Sequence, residues 1–61
     1  MTVLVEGFDK YAACWFGRSE ADAPDIDGKV FIRSERPLAP GRFVQVLVDE
    51  VLDLDLLATV L

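Results

Sequence analysis

The chain contains no histidine and a single cysteine, Cys14, among its 61 residues. Without histidine, the serine side chains have no evident base to activate them, so nucleophilic catalysis within the chain is not expected. One cysteine cannot form a disulfide within the chain, whereas small secreted domains usually rely on several. We therefore expect a cytoplasmic protein in which Cys14 is a small buried apolar residue.

A long apolar run and an export signal are also missing. No stretch approaches the roughly 20 consecutive apolar residues that a membrane-spanning helix requires. The segment from Met1 to Glu6 lacks the basic region and the small-residue cleavage site of a secretory signal. The hydrophobic fraction is nevertheless 52%, spread over short runs. We predict one soluble domain over residues 1–61, with no membrane partner.

Basic residues are scarce, since six Lys and Arg stand against eleven Asp and Glu and give a net charge of -5. Binding to nucleic acid by counterion release needs Lys and Arg contacts to phosphates, so this balance works against a strong non-specific binder. Taken alone, the excess of acidic residues is explained by the need for a soluble surface. A sharper interpretation is a basic protein partner, because opposite net charge speeds encounter.

Short strand-forming runs bounded by Gly, Pro or Asp recur along the chain, which is typical of an all-β barrel or sandwich. Closure removes exposed strand edges, so we predict a small five-stranded antiparallel barrel of the OB type. The predicted strands are Thr2–Glu6, Tyr11–Arg18, Lys29–Arg33, Phe43–Asp49 and Leu52–Leu56. The predicted interior residues are Val3, Val5, Val30, Ile32, Val44, Val46, Val48, Leu54 and Leu56.

Two later segments carry specific local signals. Residues 39–42, Ala-Pro-Gly-Arg, predict a type II turn, because Pro is favoured at its second position and Gly takes positive φ at its third. Residues 52–56 alternate leucine with aspartate, which predicts a half-buried strand with both aspartates toward solvent. A helix through residues 48–61 is the rival interpretation, because Leu and Asp also satisfy a helical stripe.

The segment from Gly17 to Ile32, GRSEADAPDIDGKVFI, carries the most specific motif. It reads Gly-Arg-Ser, two residues, Asp-Ala-Pro, one residue, Ile-Asp-Gly, and LAPGRFVQVLV and DLDLL follow it. This pattern resembles the TRAM domain at the C-terminus of RimO-type radical-SAM methylthiotransferases, over nearly the whole chain from Val3. The related tRNA-modifying branch usually has Gly-Arg-Thr and an Asn-containing pattern here. Departures from the family are Leu54 in place of a tyrosine and the bulky Trp15.

The resemblance implies that the chain is a C-terminal fragment of a larger enzyme. That enzyme would insert a methylthio group at the β-carbon of an aspartate in protein twelve of the small ribosomal subunit. It would use S-adenosylmethionine and two iron–sulfur clusters, which are held by sets of thiolates. With Cys14 alone, this fragment would hold no cofactor and no catalytic residue. Its expected partners are that ribosomal protein and the enzyme's own radical-SAM domain.

Two acid-only stretches form the candidate docking surface for the basic ribosomal protein. One is the loop from Glu20 to Asp27, and the other follows Arg42. Each aspartate taken singly is better explained as a turn cap or a solvated charge, and no metal site is expected. Arg18 is expected to form an ion pair that holds the loop. The selected partner-binding residues are Asp22, Asp25, Asp27, Asp53 and Asp55.

An alternative function is RNA binding, as in the TRAM module of a tRNA methylthiotransferase. Three arginines flank the connection at residues 37–41 and form the only basic cluster of the sequence: Arg33, Arg36 and Arg42. Phe31 and Phe43 lie nearby in sequence, and aromatic side chains on OB barrels stack on bases. The plainer interpretation is that the arginines are ordinary surface and the aromatics belong to the core.

Overall fold

A computed structural model describes residues 1–19 and 28–61. Within these residues the chain forms five strands: β1 (Thr2–Asp9), β2 (Cys14–Ser19), β3 (Val30–Arg33), β4 (Phe43–Leu52) and β5 (Asp55–Val60). They close into a barrel in the order β1-β2-β3-β5-β4, with β4 paired to β1. The predicted all-β five-stranded barrel is confirmed, and the rival helix over residues 48–61 is wrong.

The barrel is mixed, so the prediction of a wholly antiparallel sheet is wrong in one place. β3 and β5 run parallel, from Val30 opposite Leu56 to Arg33 opposite Thr59, while the other four ladders are antiparallel. The cause is the chain path. β4 runs antiparallel to β1 and β5 reverses again, so β5 reaches the free edge of β3 in the same direction as β3. This strand order is that of a small Greek-key barrel of the OB type.

β1 continues past its predicted end at Glu6 because a β-bulge absorbs one extra residue. Val5 faces Gly17 and Gly7 faces Phe16, so Glu6 has no partner across the ladder. A bulge bends the strand and changes which later side chains face the interior. Phe8 therefore meets Trp15, with ring centroids 5.2 Å apart and planes at 76°.

Six of the nine predicted interior residues are buried, and Val44 and Val48 pack against the core from partly buried positions. Leu54 is 64% exposed, so its assignment to the interior is wrong. Leu38 and Ala58 are buried although the pattern did not select them. Leu38 comes from the connection between β3 and β4. The buried side chains are Val3, Val5, Val30, Ile32, Leu38, Val46, Leu56 and Ala58.

The alternating segment 52–56 is the end of one strand, a turn and the start of the next. Leu52 faces Asp55 at the end of the β4–β5 ladder, and Asp53 and Leu54 form the two-residue turn between them. Asp53 has φ 50°. Positive φ at the first turn position is a feature of the hairpin turns whose twist matches that of the strands. The turn has only two residues, so the alternation of leucine and aspartate runs through it without a break. The sequence pattern therefore resembled a single strand.

The predicted type II turn at residues 39–42 is confirmed. The Arg42 amide donates to the Ala39 carbonyl at 3.1 Å, and Gly41 has φ 89°. The turn is fastened to β1, because the Gly41 amide donates to the Val5 carbonyl at 2.8 Å and the Val5 amide donates to the Arg42 carbonyl at 2.9 Å. These hydrogen bonds place the start of β4 directly beside β1.

Opposite faces of β4 provide a matched test of the barrel. Val46 is 1% exposed and Leu47 is 59% exposed. Val46→Asp places an unpaired charge in the core and should cost about 3–5 kcal/mol, most of the stability of a domain this small. Leu47→Asp should cost only about 1 kcal/mol, because the site is exposed and the loss is limited to the poor strand propensity of aspartate. Urea denaturation measures both, and equal losses in the two variants would contradict the assigned faces.

Candidate functional site

The candidate acids that the structure describes, Asp53 and Asp55, lie at the opposite end of the barrel from Arg33 and Arg36. Val30 at the start of β3 faces Leu56 near the start of β5, so the β4–β5 hairpin lies at the end where both strands begin. We call the exposed acids there, Glu50 and Asp53, the hairpin acids. Arg33 and Arg36 lie at the other end, where β3 finishes. Charges of both signs nevertheless occur at each end, because Lys29 lies beside the hairpin and Glu35 lines the same groove as Arg33 and Arg36.

Asp55 has a structural role. Its side chain is half-buried, and its Oδ1 accepts a hydrogen bond from the Lys29 amide at 2.8 Å. The Leu56 amide in turn donates to the Lys29 carbonyl at 3.0 Å. The prediction that both aspartates face solvent is therefore wrong for Asp55, whose carboxylate fixes the start of β3 against β5. Asp53, in the turn, is exposed as expected.

Gly28 lies directly against the hairpin. A Cβ at this position would overlap the Leu54 carbonyl and the Asp55 carboxylate, so only glycine allows the approach. The acid-only loop therefore returns to the described fold beside the hairpin. Its own candidate residues Asp22, Asp25 and Asp27, and also Glu20, lie outside the described residues, and their position stays a prediction.

The loop holds most of the net charge. The chain has eleven acids, of which seven lie in residues 1–19 and 28–61 together with all six bases, a net charge of 6 - 7 = -1 for that part. The remaining 11 - 7 = 4 acids belong to residues 20–27 and complete the total of -5. An acidic surface on this domain thus depends on the loop and on the hairpin to which the loop returns.

Arg18 pairs with a strand residue. Its Nη2 and Nε donate to Oε2 of Glu6 at 2.8 and 3.3 Å, across the β1–β2 ladder. The hydrogen bond and the charge of Glu6 raise the pKa of Arg18 above its ordinary value. The expected ion pair with the loop involves residues outside the described part. Within it, Arg18 ties the bulge residue Glu6 to β2.

Arg33 and Arg36 line one open groove of about 800 Å³. The Arg36 Nη2 donates to the Leu61 carbonyl at 3.5 Å, a long contact that leaves the guanidinium largely available. Arg42 does not line this groove and lies beside Val5 on β1. The structure thus brings together two of the three arginines. The groove residues are Ala13, Cys14, Arg33, Ser34, Glu35, Arg36, Thr59, Val60 and Leu61.

Phe31 and Phe43 do not form a shared stacking platform, because β5 separates β3 from β4. Phe31 is half-buried between Phe16 on β2 and Leu57 on β5. The Lys29 Nζ lies 4.7 Å from the centre of the Phe16 ring, a cation–π contact that the sequence did not indicate. The outer faces of β2 and β3 therefore combine the half-buried Phe16 and Phe31 with exposed cations, since Arg18 and Arg33 follow two residues later on the same strands.

Cys14 is half-buried in the groove rather than buried in the core. Burial is the main factor that raises the pKa of its thiol, the Asp9 carboxylate adds to the rise, and Arg33 opposes it. The Asp9 carboxylate also accepts from the amides of Tyr11 and Ala12 at 2.9 and 3.1 Å. The surroundings of Cys14 therefore favour the neutral thiol over the thiolate.

Residues 1–19 and 28–61 contain neither a cluster of metal-binding side chains nor a membrane-spanning helix. No three His, Cys, Asp or Glu side chains of this part are grouped so that they would hold a metal ion. None of its secondary structure is a helix with the length and apolar character needed to cross a membrane.

The closed, mixed five-stranded sheet defines a small barrel of the OB type. The sequence profile of the family described as TRAM domain matches residues 1–61, the whole chain. The chain therefore belongs to the TRAM domain family, as its motif predicted.

Similar curated proteins share one name, ribosomal protein uS12 methylthiotransferase RimO. The protein of Desulforudis audaxviator is 49% identical over 61 residues, and that of Aeromonas salmonicida is 46% identical over 61 residues. The protein of Caldanaerobacter subterraneus subsp. tengcongensis is 46% identical over 56 residues, 92% of the chain. The chain spans only 12–13% of the length of these relatives.

The role of Asp55 is tested by two substitutions. Asp55→Ala removes the acceptor for the Lys29 amide and should lower the free energy of unfolding by about 1–2 kcal/mol. Asp55→Asn keeps an oxygen at the same place and should lose less than half of that. Thermal or urea unfolding gives both values. If the alanine variant were as stable as the wild type, the carboxylate would have no part in holding β3.

The environment of Cys14 predicts opposite effects of two neighbouring charges. Alkylation requires the thiolate, so its rate near pH 8 reports the thiol pKa. Asp9→Asn removes a charge that raises this pKa and should speed iodoacetamide labelling, while Arg33→Gln removes a charge that lowers it and should slow labelling. The asparagine still accepts the turn amides. Rate changes of the same sign in both variants would refute this electrostatic account.

Proposed function

We propose that this chain is the TRAM domain of a uS12 methylthiotransferase of the RimO type and that it recognises the substrate without performing chemistry. The observation that carries this proposal is identity of 46–49% with proteins of that name across the whole chain. The parent would be a transferase that uses iron–sulfur clusters and S-adenosylmethionine. Such clusters need sets of thiolates, and this chain supplies only Cys14, so its residues do not fit them.

Docking of a basic protein would use the acids at the hairpin end of the barrel. The hairpin acids Glu50 and Asp53 are exposed, and Gly28, the residue that directly follows the acid-only loop, lies against the same hairpin. Ribosomal proteins neutralise RNA phosphates with Lys and Arg, so the partner carries the complementary charge. Asp55 is committed to the Lys29 amide and anchors this surface without being part of the contact.

Exposed charges of this kind act mainly on the rate at which the two proteins associate. Exposed acids attract a basic partner over about one Debye length, roughly 8 Å at physiological salt, and raise the association rate more than the strength of the final complex. A tethered recognition domain also raises the effective concentration of substrate near the catalytic domain. The expected signature is a change in kcat/KM at limiting substrate, with kcat preserved.

A second candidate, RNA binding, is supported by one observation: Arg33 and Arg36 line the same groove. Against it stand the separation of Phe31 from Phe43 and the position of Arg42 outside that groove. Two arginines provide few phosphate contacts, and the overall balance of -5 repels a nucleic acid. We therefore rank docking of the basic protein first.

The proposal predicts a specific kinetic defect in the full-length enzyme that contains this chain. The variant combines Asp22→Asn, Asp25→Asn, Glu50→Gln and Asp53→Asn, and it leaves Asp55 intact to protect the fold. Methylthiolation of uS12 at low salt should show kcat/KM reduced about tenfold or more with kcat unchanged. The salt dependence of kcat/KM should also become flatter.

The matched control is the double variant Arg33→Gln and Arg36→Gln, which removes charge from the opposite end. It should leave kcat/KM for uS12 at the wild-type value. Wild-type kinetics of the acid variant at every salt concentration would eliminate the docking role. Loss of activity in the arginine variant, together with RNA binding that weakens steeply with salt, would favour the second candidate.

A further inference from the structure

The tip of the β4–β5 hairpin exposes three apolar side chains that lie close together in the chain. Val51, Leu52 and Leu54 are 68%, 40% and 64% exposed. The core, as far as the structure describes it, includes none of them. Single exposed apolar residues are common on protein surfaces, but a contiguous group of them marks an interaction site. We call these three the hairpin apolar residues.

Leu54 does not stabilise the turn in which it lies. Tight turns favour Gly, Asn, Asp and Ser, which tolerate positive φ or bond to the local backbone. Asp53, with φ 50°, meets that requirement at the first turn position. A leucine side chain supplies neither property at the second position, and most of it faces solvent. The hairpin would therefore form equally well with a polar residue in place of Leu54.

The hairpin apolar residues surround the tip instead of sharing one face. Successive side chains of a strand point to opposite sides, so Val51 lies on the side of its partner Leu56 and Leu52 lies on the side of Asp55. Leu54 lies in the turn between the two strands. A flat surface would contact only part of this group, whereas a concave pocket would contact all of it. The shape of the tip therefore indicates insertion into a pocket of a partner.

The charged residues that accompany this group along the chain are all acids. Residues 49–55 contain four acids, three apolar residues and no base. Hydrogen bonds within the barrel engage the carboxylates of two of these acids, Asp49 and Asp55. The other two are the hairpin acids, which are exposed and lie next to the apolar residues in the sequence. The tip therefore combines apolar contact surface with negative charge.

A partner that fits this tip has an apolar pocket with lysine or arginine at its rim. Protein interfaces commonly have such a desolvated apolar centre inside a polar border. Lys29 lies beside the hairpin, but its ammonium contacts the Phe16 ring on β2, 4.7 Å from the ring centre. Nucleic acid is a poor match, because its phosphates would meet the hairpin acids. Charge and shape together favour a basic protein.

We propose that the hairpin apolar residues are an anchor that inserts into an apolar pocket of the basic substrate protein, with the hairpin acids at the rim of the contact. This inference rests on the proposed function, which assigned only charged residues to this end of the barrel. The two kinds of residue act on different rates, since exposed charge raises the association rate and buried apolar surface slows dissociation. Loss of the anchor is therefore insensitive to salt, whereas loss of the acids is not.

The test uses the full-length parent enzyme with the apolar variant Val51→Thr and Leu54→Asn, which changes no charge and suits a strand and a turn. In methylthiolation of uS12, kcat/KM should fall at least about tenfold at low and at high salt, with kcat unchanged, because two apolar side chains lose their burial in the complex. The acid variant Glu50→Gln and Asp53→Asn should lower kcat/KM at low salt only.

The matched control is the double variant Phe8→Thr and Tyr11→Asn. It also replaces one exposed strand residue and one exposed turn residue, but in the β1–β2 hairpin. That hairpin lies at the opposite end of the barrel, where Ala13 and Cys14 line the groove with Arg33. The control should leave kcat/KM at the wild-type value. Equal losses in the control and in the apolar variant would overturn the proposal.

Folding is checked in the 61-residue chain. Val51 and Leu54 are exposed, so the apolar variant should unfold at the wild-type urea midpoint. A midpoint lowered as far as by Val46→Thr in the core would mean that the domain itself covers these side chains, and it would overturn the proposal. So would a dimer of the 61-residue chain that the apolar variant dissociates, because the tip would then bind a second copy.

Failure of the anchor and failure of the proposed function give different results. If the acid variant is impaired at low salt and the apolar variant is not impaired at any salt concentration, the anchor is wrong and docking by charge stands. If the apolar variant is impaired and the acid variant is not, the anchor stands and docking by charge fails. If the wild-type parent does not modify uS12, both fail.

Discussion

The parallel ladder between β3 and β5 closes the barrel, and the remaining structure depends on it. It comprises four residue pairs, and its two strands supply four of the buried side chains, Val30, Ile32, Leu56 and Ala58. A ladder this short needs fixed ends. The Asp55 carboxylate holds the Lys29 amide, and Gly28 allows the two backbones to approach. Without this contact, β3 and β5 would both present open edges, which invite pairing with other chains.

Closure also determines where charge is presented. The same contact that registers β3 with β5 places the hairpin turn beside the return of the acid-only loop, while Arg33 lies at the opposite end of β3. Asp55, which the sequence analysis selected as a partner-binding residue, has a structural contact in this part of the barrel. Asp53, two residues earlier, lies in the exposed turn, where our proposal gives it a part in docking.

Sequence patterns of a few neighbouring residues predicted the turn and the inward-facing strand residues, because these features depend only on those neighbours. The type II turn at residues 39–42 followed from Pro and Gly, and alternation placed Val3, Val5 and Ile32 in the core. The parallel ladder and the hydrogen bond between Asp55 and Lys29 join residues 26 apart, and no local pattern encodes them. The bulge at Glu6 shifts later side chains without a sequence signal, and a two-residue turn leaves the alternation through Leu54 intact.

The positions of the hairpin acids and of Arg33 and Arg36 at opposite ends of the barrel make the central claim measurable at single residues. Isotope-labelled 61-residue chain can be titrated with purified uS12 while its backbone amide resonances are followed at low salt. The account predicts saturable shifts at the acid-only loop and the hairpin acids Glu50 and Asp53, which weaken as salt is added, and unchanged resonances at Arg33 and Arg36. Shifts confined to Arg33 and Arg36, or no response to uS12 at any salt concentration, would contradict it.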